Sequence, residues 1–123
     1  LYLWDWSLCD DAAGRFENLV ACHLRKHGHF IEDTEGFKTD LRYLKDQSGR
    51  EIDFVFLKKD KPLFAVECKF GEEDLSPNIR YFSARTGIPM FYQVHCGEAD
   101  YEVPQHRARV LPFSKLVGVL KLP

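Results

Sequence analysis

The stretch Gly49 to Phe70, GREIDFVFLKKDKPLFAVECKF, decides the fold. It reads as two β-strands, Arg50 to Lys58 and Leu63 to Phe70, joined by a hairpin turn at KKDKP. Side chains alternate between faces along a strand. The first strand sets Ile52, Phe54 and Phe56 against Glu51, Asp53, Val55 and Leu57. The second sets Phe64, Val66, Cys68 and Phe70 against Leu63, Ala65, Glu67 and Lys69. Both strands are apolar on both faces except where Asp53, Glu67 and Lys69 interrupt them. Such strands belong inside a sheet covered on both sides, where an ionised group needs a partner or a metal.

Upstream, Asp40 to Lys45 (DLRYLK) reads as a third strand, and DQSGR turns the chain with Gly49 supplying positive φ. Before it, a helix is expected from about Ala12 to His27, capped by Asp10 or Asp11 and stopped at Gly28. On a helical wheel Ala13, Phe16, Val20, Ala21 and Leu24 share one arc, with Arg15, Asn18, Arg25 and Lys26 opposite. Glu17 falls inside the apolar arc, so its carboxylate faces the protein or snorkels from the stripe's edge. His29 to Thr39 reads as irregular, and Leu1 to Trp6 as a short strand or packed arm.

Downstream, GEEDL is an exposed acidic loop, and Ser76-Pro77 starts a helix with Ile79, Phe82 and Thr86 inward and Gly87 as its end. Ile88 to His95 is a strand, Cys96 to Arg107 a polar loop, Val110 and Leu111 a sheet extension, and Phe113 to Leu120 an apolar helix. The fold class is α/β with an αβββαβ core. The first three strands are antiparallel neighbours, and the helical crossover lays the fourth parallel to the third. The result is a mixed central sheet flanked by helices.

The 123 residues suffice for one domain, residues 1–123, with 1–9 as an arm leading in from a preceding region. The chain opens at Leu1 on strand-like LYLWDW, as expected of a fragment of a longer protein. Formal net charge is −2, so nucleic-acid binding through bulk basic charge is not implied and would need a local basic patch or bound metal. No apolar run approaches the roughly 20 residues of a membrane span. Cys9, Cys22, Cys68 and Cys96 form no CxxC pair, which argues against zinc and for a reducing, cytoplasmic setting.

Four groups converge in this layout: Glu17 from the first helix, Asp53 from the middle strand, and Glu67 and Lys69 from the next. Three carboxylates suit Mg²⁺ or Mn²⁺, which prefer hard oxygen donors. Without an ion the acids raise one another's pKa. With one, a coordinated water can attack phosphorus while the lysine orients it or offsets charge on the phosphate. The arrangement suits metal-assisted phosphodiester hydrolysis. No P-loop, GxSxG, GxGxxG after a strand or HExxH motif offers another reaction. The pair His23/His27 lacks a third ligand, Glu72, Glu73 and Asp74 read as a solvated loop, and Gln93 is either a site neighbour or an edge residue.

At Glu17, Asp53 and Glu67-Cys68-Lys69 the chain resembles the PD-(D/E)XK nuclease superfamily, with its restriction-endonuclease-like fold and a spacing similar to archaeal Holliday-junction resolvases. A resemblance over nearly the whole chain, through LYLWDWSL, RFENLVACHL, LRYLKDQSGREIDF and FAVECK, is to the C-terminal domain of unknown function that follows the ATPase domain in bacterial and archaeal AAA-type ATPases. These resemblances imply a Mg²⁺- or Mn²⁺-dependent DNA endonuclease domain attached to a P-loop ATPase. Asp53 and Glu67 would bind metal, Glu17 complete the shell, and Lys69 act on the attacking water. The implied partners are nucleic acid, DNA above all, and the parent's ATPase domain. The alternative is a nuclease fold without catalysis that binds nucleic acid or protein and regulates the ATPase, with Glu67 and Lys69 in a buried ionic network. A third reading makes the chain ends a homo-oligomerisation surface.

Overall fold

The computed structural model describes residues 12–121. At its centre β2 (Glu51–Lys58) and β3 (Lys61–Cys68) form the expected hairpin. The turn is tighter than KKDKP: only Lys59 and Asp60 lie between the strands, with φ of 55° and 64°. Two left-handed residues give a turn whose twist matches that of paired strands. The second strand therefore starts at Lys61 and stops at Cys68, two residues earlier at each end than the alternation suggests. Pro62 inside it donates no hydrogen bond, and the pairing register shifts there, between Phe56 and Leu57.

Around the hairpin lie α1 (Ala12–Glu35), β1 (Thr39–Lys45), α2 (Pro77–Ser83), β4 (Phe91–His95), β5 (Tyr101–Val103), β6 (Ala108–Pro112) and α3 (Phe113–Val119). The six strands form one mixed sheet in the order β1-β2-β3-β4-β6-β5. The first three are antiparallel, and β3–β4 and β4–β6 are parallel. The αβββαβ order and the parallel crossover are as expected, as are β6 and α3. The segment after Cys96, expected as a polar loop, holds a strand: β5 pairs antiparallel with β6.

Both sheet faces are covered. On one, Phe16, Val20, Leu24 and Ile31 of α1 and Phe113 and Leu116 of α3 pack on Phe54, Phe56, Phe64 and Val66. On the other, Ile79 and Phe82 of α2 pack on Ile52, Val55, Ala65 and Phe91. Ile52 thus lies opposite Phe54 and Phe56, not beside them. A β-bulge explains this: the register moves from Arg42↔Val55 to Leu44↔Ile52, so Asp53 and Phe54 together face Tyr43 and the alternation slips by one.

The first helix does not stop at Gly28. It runs to Glu35 and ends at Gly36, whose φ is +75°. Gly28 serves packing instead: a Cβ there would lie 2.6 Å from Thr39 Oγ1. Asn18, expected on the outer side, is buried, while Ala13 is exposed. α2 ends at Ser83 rather than Gly87, because Arg107 reaches across to the carbonyls of Ser83 (2.8 Å), Thr86 (3.1 Å) and Ile88 (3.1 Å) and holds that segment as a loop. The Ser76 cap and Pro77 are as expected. The expected Asp10/Asp11 cap, the 1–9 arm and Cys9 lie outside the described residues.

Candidate functional site

Pairing between β2 and β3 runs from Lys58↔Lys61 to Phe54↔Val66 and stops one step short of Asp53 and Glu67. There, side chains replace the ladder. The Asp53 N–H donates to Glu67 Oε1 at 3.2 Å, and the Cys68 N–H donates to Asp53 Oδ2 at 2.8 Å. Each acid therefore satisfies a backbone donor on the opposite strand, and the bulge at Asp53 and Phe54 aims the aspartate for this exchange.

Glu67 is buried, with 4% exposure, and Asp53 is half-buried. Burial is the main cause of a raised pKa at each, and repulsion from Asp53 adds to it at Glu67, which is pushed up to about 8. Burial and the neighbouring acid thus favour the protonated form of Glu67. Lys69 lies close enough to act against this shift at both acids. Glu17, half-buried on the inward arc of α1, acts with Asp53 and Glu67 on the Cys68 thiol, whose pKa burial already raises. The Cys68 thiolate is thereby disfavoured.

The structure thus brings Asp53 and Glu67 into contact and sets Lys69 and Glu17 within electrostatic range. Among the described residues no three His, Cys, Asp or Glu side chains are grouped so as to hold a metal ion. The donor chemistry that is present is a close pair of carboxylates.

Two further residues complete the surroundings: Ser76, expected only as a helix cap, and Gln93, expected as either a site neighbour or an edge residue. Ser76 caps α2 through Asn78 N–H and also donates to Glu67 Oε2 at 3.3 Å. Gln93 lies opposite Glu67 in the β3–β4 register and is fully buried. Its Oε1 accepts from Ser76 N–H at 2.7 Å, and its Nε2 donates to the carbonyls of Asp74 (3.0 Å) and Glu73 (3.3 Å). Gln93 is therefore a peg holding the acidic loop and the start of α2 over the site. The signal available in the sequence was an amide in an apolar strand, which needs partners once buried.

Other candidates have structural uses. Glu72 accepts from the N–H groups of Glu98 and Ala99, joining two loops. His23 bonds the Leu19 carbonyl at 3.0 Å, and the ring of His27 lies 5.4 Å from that of Phe56, where burial lowers its pKa. Beside the acid pair a groove of about 490 Å³ opens between α1, β1 and β2, with Arg25, Arg42, Tyr43, Lys45, Glu51 and Asp53 in its lining.

Fold and site together define a mixed α/β domain with a buried acid pair at the point where its two central strands part. The family model "Domain of unknown function (DUF4143)" matches residues 14–116, and the chain belongs to that family. No curated protein and no solved structure matches the chain. Among the described residues no helix is long and apolar enough to cross a membrane.

Proposed function

We propose that the domain is a metal-dependent nucleic-acid phosphodiesterase of the restriction-endonuclease-like kind, DNA being the expected substrate, working beside the P-loop ATPase domain of an AAA-type parent. The observation that carries this reading is the Asp53–Glu67 pair: a half-buried and a buried acid joined by the Asp53 N–H to Glu67 hydrogen bond, with Lys69 alongside. The αβββαβ order with its parallel fourth strand supports it.

The pair fits Mg²⁺ or Mn²⁺. Mg²⁺ is commonly held by one or two carboxylates plus waters, and a dication would offset both the burial and the repulsion that raise the Glu67 pKa. Asp53 and Glu67 would hold the ion, and Glu17 would orient the shell from α1. When bound, such an ion supplies Lewis-acid polarisation and water activation. Lys69 contributes a fixed positive charge beside the acids, placed to orient a water or offset charge developing on a phosphoryl oxygen. Asp53 and Glu67 keep their orientation through the two backbone bonds they accept, and Ser76 adds a third.

The test is calorimetric titration of Mn²⁺ into the wild type and Glu67→Gln, followed by cleavage assays on DNA. Binding is expected in the wild type and not in the variant. Asp53→Asn should abolish cleavage with the fold intact, and Lys69→Met should keep Mn²⁺ binding while cutting the rate by a factor of about 100 or more. Wild-type cleavage by Asp53→Asn sinks the reading.

One observation favours a second reading. The Asp53 and Glu67 oxygens are engaged in holding the parted strands, which suits a module that keeps the fold, binds nucleic acid or protein and regulates the ATPase without catalysis. Absence of Mn²⁺ binding in the wild type selects this reading over the first.

A further inference from the structure

The groove beside the acid pair differs in character from the molecule around it. The chain as a whole carries a net charge of −2, whereas this one depression has three cations, Arg25, Arg42 and Lys45, against two acids, Glu51 and Asp53. Arg42 is committed to Asp40 through a 2.8 Å ion pair. Arg25 and Lys45 form no ion pair with the described residues, although Lys45 lies directly across from Glu51 in the β1–β2 register. Tyr43, also in the lining, is 68% exposed. It stands where the bulge doubles Asp53 and Phe54 against it. Two cations without an ion pair among the described residues and an exposed aromatic ring therefore share one groove with Asp53.

We infer that this groove is the path of a single nucleic-acid strand, with backbone phosphates against Arg25 and Lys45 and a base stacked on Tyr43; the inference rests on the phosphodiesterase reading above. Basic grooves with interleaved aromatics track single strands in this way, since every base offers a π-face and every linkage a negative charge. A volume of about 490 Å³ holds about one or two nucleotides, within the usual range of ligand pockets. A duplex would lie across its mouth rather than enter it. The strand would run alongside Asp53, so a phosphate beyond the groove's end would meet the acid pair.

The experiment is fluorescence anisotropy with a labelled single-stranded DNA of about 15 nucleotides and its duplex, in EDTA so that neither metal nor cleavage contributes. The wild type should bind the single strand more tightly than the duplex. Arg25→Glu/Lys45→Glu should weaken single-strand binding at least tenfold. The milder Lys45→Gln/Arg25→Gln should flatten the salt dependence by about 1.4 in log–log slope, at roughly 0.7 per phosphate contact. Tyr43→Ala should weaken binding without changing that slope, and Lys61→Glu, at the far end of the hairpin, should leave binding unchanged. Circular dichroism confirms that each variant is folded, and the Gln and Ala variants carry the test if the charge reversal unfolds. Equal binding by wild type and groove variants, preference for duplex, or no binding by the wild type overturns the inference. Mn²⁺ calorimetry on the same samples separates the two readings: intact metal binding with indifferent groove variants condemns the groove alone, whereas absent metal binding condemns the phosphodiesterase reading.

Discussion

An exposed glutamate gives up its proton near pH 4.5, whereas Glu67 holds its own to about 8. Between those values the folded chain binds more protons than the unfolded one, so metal-free stability is full below about pH 4.5 and is lost as pH rises through about 8. At 1.4 kcal/mol per unit, the loss is roughly 3–5 kcal/mol. Thermal unfolding in EDTA at about pH 5 and about pH 9 should show it in the wild type and not in Glu67→Gln. A wild-type melting temperature indifferent to pH across that window would contradict the buried pair. On the phosphodiesterase reading a bound metal reverses the sign: Mn²⁺ should raise the wild-type melting temperature most at the alkaline end, and below about pH 8 its binding should release a proton. Gln93 invites a separate test. Gln93→Leu keeps the apolar bulk but strands one buried N–H and two carbonyls, and should cost about 2–4 kcal/mol in denaturant unfolding. A loss under about 0.5 kcal/mol would mean that water replaces the amide.

Among the elements, α1 and β2 show what the sequence discloses and what it hides. The hairpin, the Ser76-Pro77 start of α2 and the setting of Asp53 and Glu67 on neighbouring strands were legible because each depends on local chemistry: turn residues, a cap, the alternation that marks a strand. Gly28 was misread because glycine has two uses, and only the approach of Thr39, distant from it in the helix-to-strand path, selects the packing one. Ile52 was placed on the wrong face because a bulge leaves no mark on composition. The link from Gln93 to Ser76 was hidden for the same reason, since partners on another element decide it. Gly28 yields a sharp prediction. By helix propensity alone Gly28→Ala should stabilise by about 1 kcal/mol, but a Cβ 2.6 Å from Thr39 Oγ1 makes it destabilising, by about 1–3 kcal/mol. Pairing it with Thr39→Ser, which lets the hydroxyl turn aside, should recover part of the loss. A stabilised Gly28→Ala would show that α1 and β1 separate readily.

On the scale of the whole molecule, two apolar layers enclose β2, β3, β4 and β6, while β1 and β5 form the edges. Local opening should follow that plan. Hydrogen exchange in β3 and β4 should require global unfolding, and β5 and the outer half of β1 should exchange first. Comparable protection in β5 and β4 would point to an unseen cover on that edge. The first and last described helices also meet: the rings of Phe16 and Phe113 lie 6.1 Å apart, and those of His23 and Phe113 5.3 Å apart. Sequence order and spatial order are therefore separable in this domain. Circular permutation of the described residues should succeed, with a flexible linker joining the last helix back to the first and a fresh opening cut in the exposed turn at Gln47 and Ser48. Such a rewired chain would keep every strand neighbour and the acid pair. It would also let a host protein carry the domain as an insertion between two of its own segments, with entry and exit side by side.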